Sequence, residues 1–164
     1  MKNIIFDLDL TLVDSTVAEQ ARHERRWQDV YSMIPQFAVY DGLEDVFEFI
    51  RKNGVKVAIV STAPKTYVER VVDFHNIPCD VIVGYHDAKP IKPHPAGMLK
   101  AMELLGVGAQ DTLSFGDRQI DIQASNAAGI RSVACLWGSK ETDRLLNMSS
   151  YKVLTNPADI IKLL

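Results

Sequence analysis

Two hydrophobic rhythms alternate along this chain. Residues 4–6, 56–61, 80–83, 112–115 and 132–136 are short apolar runs rich in β-branched side chains, and 151–154 is a weaker run of the same kind. Runs of that length without strict polar alternation are the pattern of strands covered on both faces. Between them, apolar positions return every three or four residues. Leu43, Val46, Phe47 and Ile50 make one such stripe, with Gly54 as its stop. Val68, Val71, Val72 and His75 make a second; Met98, Ala101, Met102 and Leu105 make a third that runs into Gly106. Residues 120–128 are a fourth, closed by Gly129, and Pro157 opens a last short helix carrying Ile160, Ile161 and Leu164. This alternation predicts an α/β fold in one domain spanning residues 1–164: a Rossmann-like parallel sheet with helices on both faces.

In an open parallel sheet, ligands bind outside the carboxyl ends of the strands. The polar residues of this chain gather at those ends. Asp7 and Asp9 terminate the first strand, Ser61 and Thr62 the second, and Gly116-Asp117 follow the run at 112–115. Lys92 stands in the loop before a helix that starts near Pro95. Four separate stretches converge on one sheet edge, and that convergence is the main sign of an active site. Side chains alternate faces along a strand, so Asp7 and Asp9 are expected to point the same way. Like charges side by side at a buried strand end persist with a compensating cation, a shared proton or a catalytic use.

Asp117 and Asp121 lie four residues apart, about one helical turn. Taken singly, Asp117 reads as a turn residue and Asp121 as a first-turn helix charge. With Asp7 and Asp9 they form a set of four carboxylates without histidine or thiolate. An oxygen-only site of that charge selects a hard divalent cation, and Mg²⁺ is the usual match. Such a cation, with water positions left open, suits phosphate substrates. Ser61 and Thr62 offer hydroxyls and backbone N–H groups just before a helix near Pro64, where they can cap the helix or cradle an anion. Lys92 brings a compact positive charge. Lys89, also followed by proline, competes for that role, and the spacing to the helix start favours Lys92.

Taken in order, Asp7-Leu8-Asp9-Leu10-Thr11, Ser61, Lys92 and Gly116-Asp117-Arg118-Gln119-Ile120-Asp121 resemble the four motifs of the haloacid dehalogenase-like (HAD) hydrolase superfamily. Lys92-Pro93-His94-Pro95, Asn126-Ala127-Ala128-Gly129 and the segments around Trp137-Gly138 and 156–159 are similar to its phosphoglycolate-phosphatase-like branch. The resemblance covers nearly the whole chain outside residues 15–38. It implies a HAD-like core in which Asp7 attacks phosphorus and forms a phosphoaspartyl intermediate. Asp9 would protonate the leaving oxygen and then deprotonate the hydrolytic water, with Thr11 holding the loop behind them. Ser61 and Lys92 would bind the transferring phosphoryl group, with Thr62 beside them. Asp7, the Asp9 backbone carbonyl and Asp117 would ligate Mg²⁺, and Asp121 would ligate it or lie next to it. Leu10 departs from the pattern, which commonly has glycine there.

The cap departs further. Related phosphatases insert a substantial helical domain before the helix that follows Asp41-Gly42, whereas residues 15–38 leave room for one main helix and a connection. Thr16-Val17-Ala18-Glu19 reads as a capping box at its start, and Val17, Ala21, Trp27, Tyr31 and Ile34 lie loosely on one face. The cluster Arg22-His23-Glu24-Arg25-Arg26 reads more readily as a solvated face than as a greeting for an anionic substrate. A cap this small either leaves the site open to water and to large substrates or is completed by a second copy across the Trp27/Tyr31 side. His23, His75 and His86 carry no readable role, and His94 shapes the Lys92 loop.

Composition narrows the remaining choices. The 164 residues carry a net charge of −3, which gives no pull toward nucleic acid or anionic membrane. No uncharged apolar stretch approaches the roughly 18 residues of a membrane span, and the apolar run after Lys2 breaks at Asp7, unlike a secretory leader. Cys79 and Cys135 lack zinc spacing and read as reduced core thiols, so the chain is expected in the cytoplasm. A dehalogenase would leave Asp9 without a role, and a phosphomutase needs water kept from a site this cap does not cover. A non-catalytic binding protein on the HAD fold needs none of the full set. The expectation is a Mg²⁺-dependent phosphatase for a small phosphorylated molecule, its leaving group chosen by the unmatched cap.

Overall fold

Every run predicted as a strand forms one in the computed structural model, which describes residues 2–164. The first, β1 (Asn3–Phe6), leads into a small antiparallel pair, β2 (Val13–Asp14) with β3 (Ala38–Val39), which brackets the cap insertion. Within the bracket lie α1 (Glu19–His23) and α2 (Trp27–Met33). The chain then alternates through α3 (Leu43–Asn53), β4 (Val57–Val60), α4 (Lys65–Phe74), β5 (Val81–Val83), α5 (Ala96–Leu105) and β6 (Thr112–Gly116). It continues through α6 (Gln119–Ala127), β7 (Arg131–Cys135), α7 (Thr142–Leu146) and β8 (Lys152–Leu154), and ends in 3-10 turns over Pro157–Leu163.

The main sheet has the order β5-β4-β1-β6-β7-β8 with all neighbours parallel. From β1 the chain builds outward through β4 and β5, then returns to place β6 on the other side. The strand order therefore reverses between β1 and β6, the point where open α/β sheets bind ligands. In register, Phe6 lies opposite Ile59 of β4 and Phe115 of β6, so three carboxyl ends stand side by side.

The period-two alternation of the strands divides the core. Ile4, Phe6, Val57, Ile59, Leu113 and Phe115 face one way and pack with Leu43, Val46, Phe47 and Ile50 of α3 and Val68 and Val71 of α4. Ile5, Ala58 and Val60 face the other way, against Met98, Ala101, Met102 and Leu105 of α5 and Ala124 of α6. Both faces are covered, which is why these strands are apolar throughout. Among the described residues no helix is long and apolar enough to cross a membrane.

The cap differs from the expectation of one main helix. It is two short helices broken at Arg25, whose φ of 57° lies in the left-handed region that stops a helix. The capping box expected at residues 16–19 does not form; the Asp14 carboxylate instead accepts the Thr16 N–H at 3.1 Å. Trp27 and Tyr31, expected on an exposed side, fold onto α4 of the same chain. The Trp27 ring lies 5.6 Å from that of Tyr67, and Arg70 stacks 4.3 Å over Tyr31. The short α7 and the β2–β3 pair carried no signal in the hydrophobic pattern.

Candidate active site

Beyond its last residue β1 continues one step along the sheet: the Asp7 N–H donates to the Phe115 carbonyl at 2.9 Å. That bond fixes where the Asp7 carboxylate sits. Lys92 reaches it from the loop before α5, with Nζ 2.8 Å from Asp7 Oδ1, 2.6 Å from Asp121 Oδ1 and 2.9 Å from the Val60 carbonyl. All three protons of the ammonium are thereby used, on a side chain only 3% exposed. Lys89, the competing candidate, is exposed and lies over the Tyr85 ring.

Asp121 sits in the first turn of α6, where its Oδ2 accepts the Arg118 N–H at 3.0 Å and so also caps the helix. Gly116 makes room for it. A Cβ at that position would stand 2.6 Å from Asp121 Cγ, closer than side chains tolerate. Asp117 Oδ1 accepts from the buried Thr11 hydroxyl at 2.9 Å, and the Asp117 carbonyl accepts from Ser139 at 2.6 Å. Asp117 Oδ2 is buried with no hydrogen-bond partner among the described residues.

Asp9 also lines this pocket, as alternation predicts, but its carboxylate is turned to other partners. Its Oδ1 accepts from Ser15 and from Tyr67, both at 2.6 Å, and its Oδ2 lies 3.2 Å from Arg22 Nη1. The backbone carbonyl of Asp9 receives no hydrogen bond among the described residues. Leu10, next in the chain, has φ 65°. The glycine common at this position in the resembling pattern is thus explained by a left-handed turn that glycine enters freely and leucine enters under strain.

The electrostatics of the cluster are lopsided. Oxygens of Asp7, Asp117 and Asp121 all lie within 4.8 Å of one another. With all three ionised, the carboxylates against the one ammonium of Lys92 carry two net negative charges, the charge that one divalent cation balances. Burial, then the neighbouring Asp7 and Asp121, push Asp117 up to about 9. Burial raises Asp121 as well and outweighs the opposing pull of Lys92. For Lys92 burial works against the ammonium, but Asp121 and Asp7 prevail and hold its pKa above the ordinary lysine value. Burial and the Asp9 charge raise Tyr67, so its hydroxyl remains a donor. The unpartnered Asp117 oxygen, the excess charge and the oxygen-only donor set all fit a hard divalent cation.

A cavity of about 540 Å³ opens above the cluster, walled by Ser61 and Thr62 on the sheet side and by the cap on the other. Comparison with known proteins now bears on this geometry. A family model described as haloacid dehalogenase-like hydrolase matches residues 19–135. The chain belongs to the haloacid dehalogenase-like hydrolases. Among curated relatives, the phosphoglycolate phosphatase of Pseudomonas putida is 33% identical over 134 residues, covering 80% of this chain and 48% of that protein. The pyrophosphatase PpaX of Bacillus mycoides is 31% identical over 127 residues, covering 76% of this chain and 59% of that protein. The chain therefore spans about half the length of the curated relatives it matches. A HAD-superfamily hydrolase of subfamily IA from Geobacter sulfurreducens superposes with a TM-score of 0.82 over the whole of both chains at 19% identity, a likeness of fold.

Within this HAD hydrolase the predicted residues meet, with two corrections. Asp9 was grouped with the metal carboxylates, yet its side chain is outside the Asp7–Asp117–Asp121 set because Ser15, Tyr67 and Arg22 hold it elsewhere. Arg22, read with its neighbours as a solvated face, turns inward, because the Asp9 carboxylate offers it a partner. Sequence reasoning missed Ser15, Tyr67 and Ser139 altogether. A buried tyrosine in an amphipathic helix looks like core, and a serine after a short strand looks like a cap. Both cysteines are unpaired; Cys135 is a buried core thiol as expected and Cys79 is half-buried, and burial raises both, Cys79 to about 11.

Proposed function

We propose that this chain is a divalent-cation-dependent phosphatase that hydrolyses a small phosphate monoester through a phosphoaspartyl intermediate on Asp7. The observation that carries this reading is the cluster in which Lys92 bridges Asp7 and Asp121 while a buried oxygen of Asp117 has no partner. Asp7, Asp117 and the free Asp9 carbonyl would hold the cation, with Asp121 beside it, and the preferred ion is Mg²⁺. Bound there, it would supply charge neutralisation for the phosphoryl oxygens.

The chain's own residues account for the rest. The Asp7 oxygen not bound by Lys92 attacks phosphorus, and the bond from phosphorus to the ester oxygen breaks. With Arg22 off Oδ2 and a proton from solvent in its place, Asp9 gives that proton to the leaving oxygen. Asp9 then takes a proton from water as the water attacks phosphorus, which releases inorganic phosphate and restores the Asp7 carboxylate. The Ser61 hydroxyl and the hydroxyl and N–H of Thr62 orient the phosphoryl oxygens, while Lys92, its protons held by Asp7, Asp121 and the Val60 carbonyl, contributes its positive charge from behind Asp7, so positioning and charge do most of the catalysis. The names of the relatives suggest phosphoglycolate and pyrophosphate as first substrates to try.

The test is phosphate release from a generic aryl phosphate with and without Mg²⁺, for the wild type and Asp7→Asn. Turnover that needs Mg²⁺ and disappears in the variant supports the reading. Undiminished turnover in Asp7→Asn, or a folded, Mg²⁺-loaded wild type inert toward the aryl phosphate, phosphoglycolate and pyrophosphate, rules it out.

A further inference from the structure

Resting on the phosphatase reading, we propose that the cap turn at residues 22–25 is a subsite for a second anionic group of the substrate. The preferred substrates would be phosphate compounds that carry a carboxylate or another phosphate a few atoms from the transferring phosphorus. Arg22 is the centre of this site. Its side chain is 19% exposed, it faces the cavity, and its guanidinium is underused. One nitrogen meets Asp9 Oδ2; Nε is buried without any hydrogen-bond partner among the described residues and meets a ligand only if the side chain moves, so the donors within reach are those at the guanidinium tip. A guanidinium carries five N–H donors in a planar fork that matches carboxylate and phosphate oxygens in pairs.

Arg25 lines the same cavity and, among the described residues, has no carboxylate within ion-pair distance. It is also the residue held at φ 57°, a conformation that costs an arginine energy and that the turn between α1 and α2 nonetheless imposes. The other cations near the cap are already engaged. Arg26 pairs with Glu24 and Asp29 on the outside, Lys140 with Glu19, and Arg118 with Glu141. Among the described residues that leaves Arg25 unpaired and Arg22 paired only through one nitrogen to Asp9, both lining the cavity.

This arrangement couples recognition to chemistry. Without a second anion, Arg22 occupies Asp9 Oδ2, while Ser15 and Tyr67 occupy Oδ1. A carboxylate or phosphate that draws Arg22 to itself leaves Oδ2 free to face the leaving oxygen. A substrate without that group must displace Arg22 unaided.

The experiment measures kcat and KM at saturating Mg²⁺ for 2-phosphoglycolate, pyrophosphate and ethyl phosphate, the last matching the first in size but lacking its carboxylate. The wild type should favour at least one two-anion probe over ethyl phosphate by about tenfold or more in kcat/KM, and the larger ratio tells carboxylate from phosphate. Arg22→Gln and Arg25→Gln should each cut that ratio by roughly tenfold, chiefly through a higher KM for the two-anion probe, and Arg22→Lys should keep part of it. Thermal melts check folding, and Arg25→Gln, an exposed position, carries the test if Arg22→Gln does not fold. A wild type without preference, or a ratio unmoved in the folded variants, overturns the inference and leaves the phosphatase reading standing. A wild type inert toward these probes and the aryl phosphate overturns both.

Discussion

Stripping divalent cations from this protein should make it lose stability as the pH rises, the opposite of the usual behaviour of a carboxylate. The cause is Asp117, whose carboxyl is pushed from 3.8 to about 9 by burial and by Asp7 and Asp121. A folded-state pKa above the unfolded value means the native state binds the extra proton. The stabilisation is complete below about pH 4 and is lost as the pH climbs toward 9. Between pH 5 and 8 one extra native proton is worth about 1.4 kcal/mol per pH unit, a ceiling near 4 kcal/mol over the window. Asp121 is displaced in the same direction, whereas Lys92 is raised from 10.5 and stays charged in both states throughout this range. Asp14 and Glu19 are lowered, so their contributions are lost only as the pH falls below roughly 4. For a chain of this size, about 2–4 °C per kcal/mol translates the ceiling into a fall in Tm of roughly 10 °C. The assay is circular-dichroism melting in EDTA and in millimolar Mg²⁺ at pH 5, 6, 7 and 8. Mg²⁺ should raise Tm by an increment that grows with pH, because it replaces the proton as the counter-charge of the cluster. A metal-free Tm that is level or rises from pH 5 to 8 would refute the reasoning.

Three substitutions test other parts of the site. Leu10→Gly removes left-handed strain worth about 1–2 kcal/mol against roughly 0.5–1 kcal/mol of added chain entropy, so urea unfolding should show a small net gain. A loss above about 1 kcal/mol would contradict that account of the turn. Gly116→Ala drives a methyl group into Asp121, and calorimetry should find Mg²⁺ affinity reduced about tenfold or more, with overpacking costing ~1–3 kcal/mol of stability. Unchanged affinity would show that the position of Asp121 does not matter to the cation. Tyr67→Phe keeps the ring and deletes one donor to Asp9; kcat on an aryl phosphate should fall about tenfold with KM within about threefold, since a hydrogen bond to a charged group is worth ~1.5–3 kcal/mol. A change confined to KM would place Tyr67 in binding instead.

What could be read in the sequence was whatever short-range pattern governs. The strands at 4–6, 56–61 and 112–115 announce themselves because burial on both faces demands unbroken apolar runs, and their order around β1 brings Asp7, Ser61 and Asp117 to one edge. Lys92 was legible through its distance from the α5 start. The cap was not, because two helices of five and seven residues contain too few turns to show a period, and the break between them is a backbone conformation at Arg25. Nor was the hold on Asp9: Ser15, Arg22 and Tyr67 are ordinary residues until the fold brings them together around its carboxylate. Side-chain hydrogen bonds across 58 residues leave no trace in local sequence.

That hold bears on how so small a cap can serve an enzyme of this class. A large lid works by bulk, excluding water from the phosphoenzyme. Two short helices cannot do that over a cavity of 540 Å³. They can, however, bear on the Asp9 carboxylate, the proposed proton-transfer group, because one of its three partners, Arg22, lies in α1, while Ser15 stands at the cap entrance and Tyr67 in α4. Ser15 and Tyr67 lie on buried backbone and hold Oδ1 in place, while Arg22 rides on the cap and meets only Oδ2. A shift of α1 by the length of one hydrogen bond changes what Oδ2 faces and leaves Oδ1 anchored. On the proposed reading, control would then require a displacement of an ångström or two instead of a domain closure, and specificity would lie in what moves Arg22. On the proposed reading the cap would govern when Asp9 acts, and an open cavity would let the hydrolytic water in once the leaving group departs.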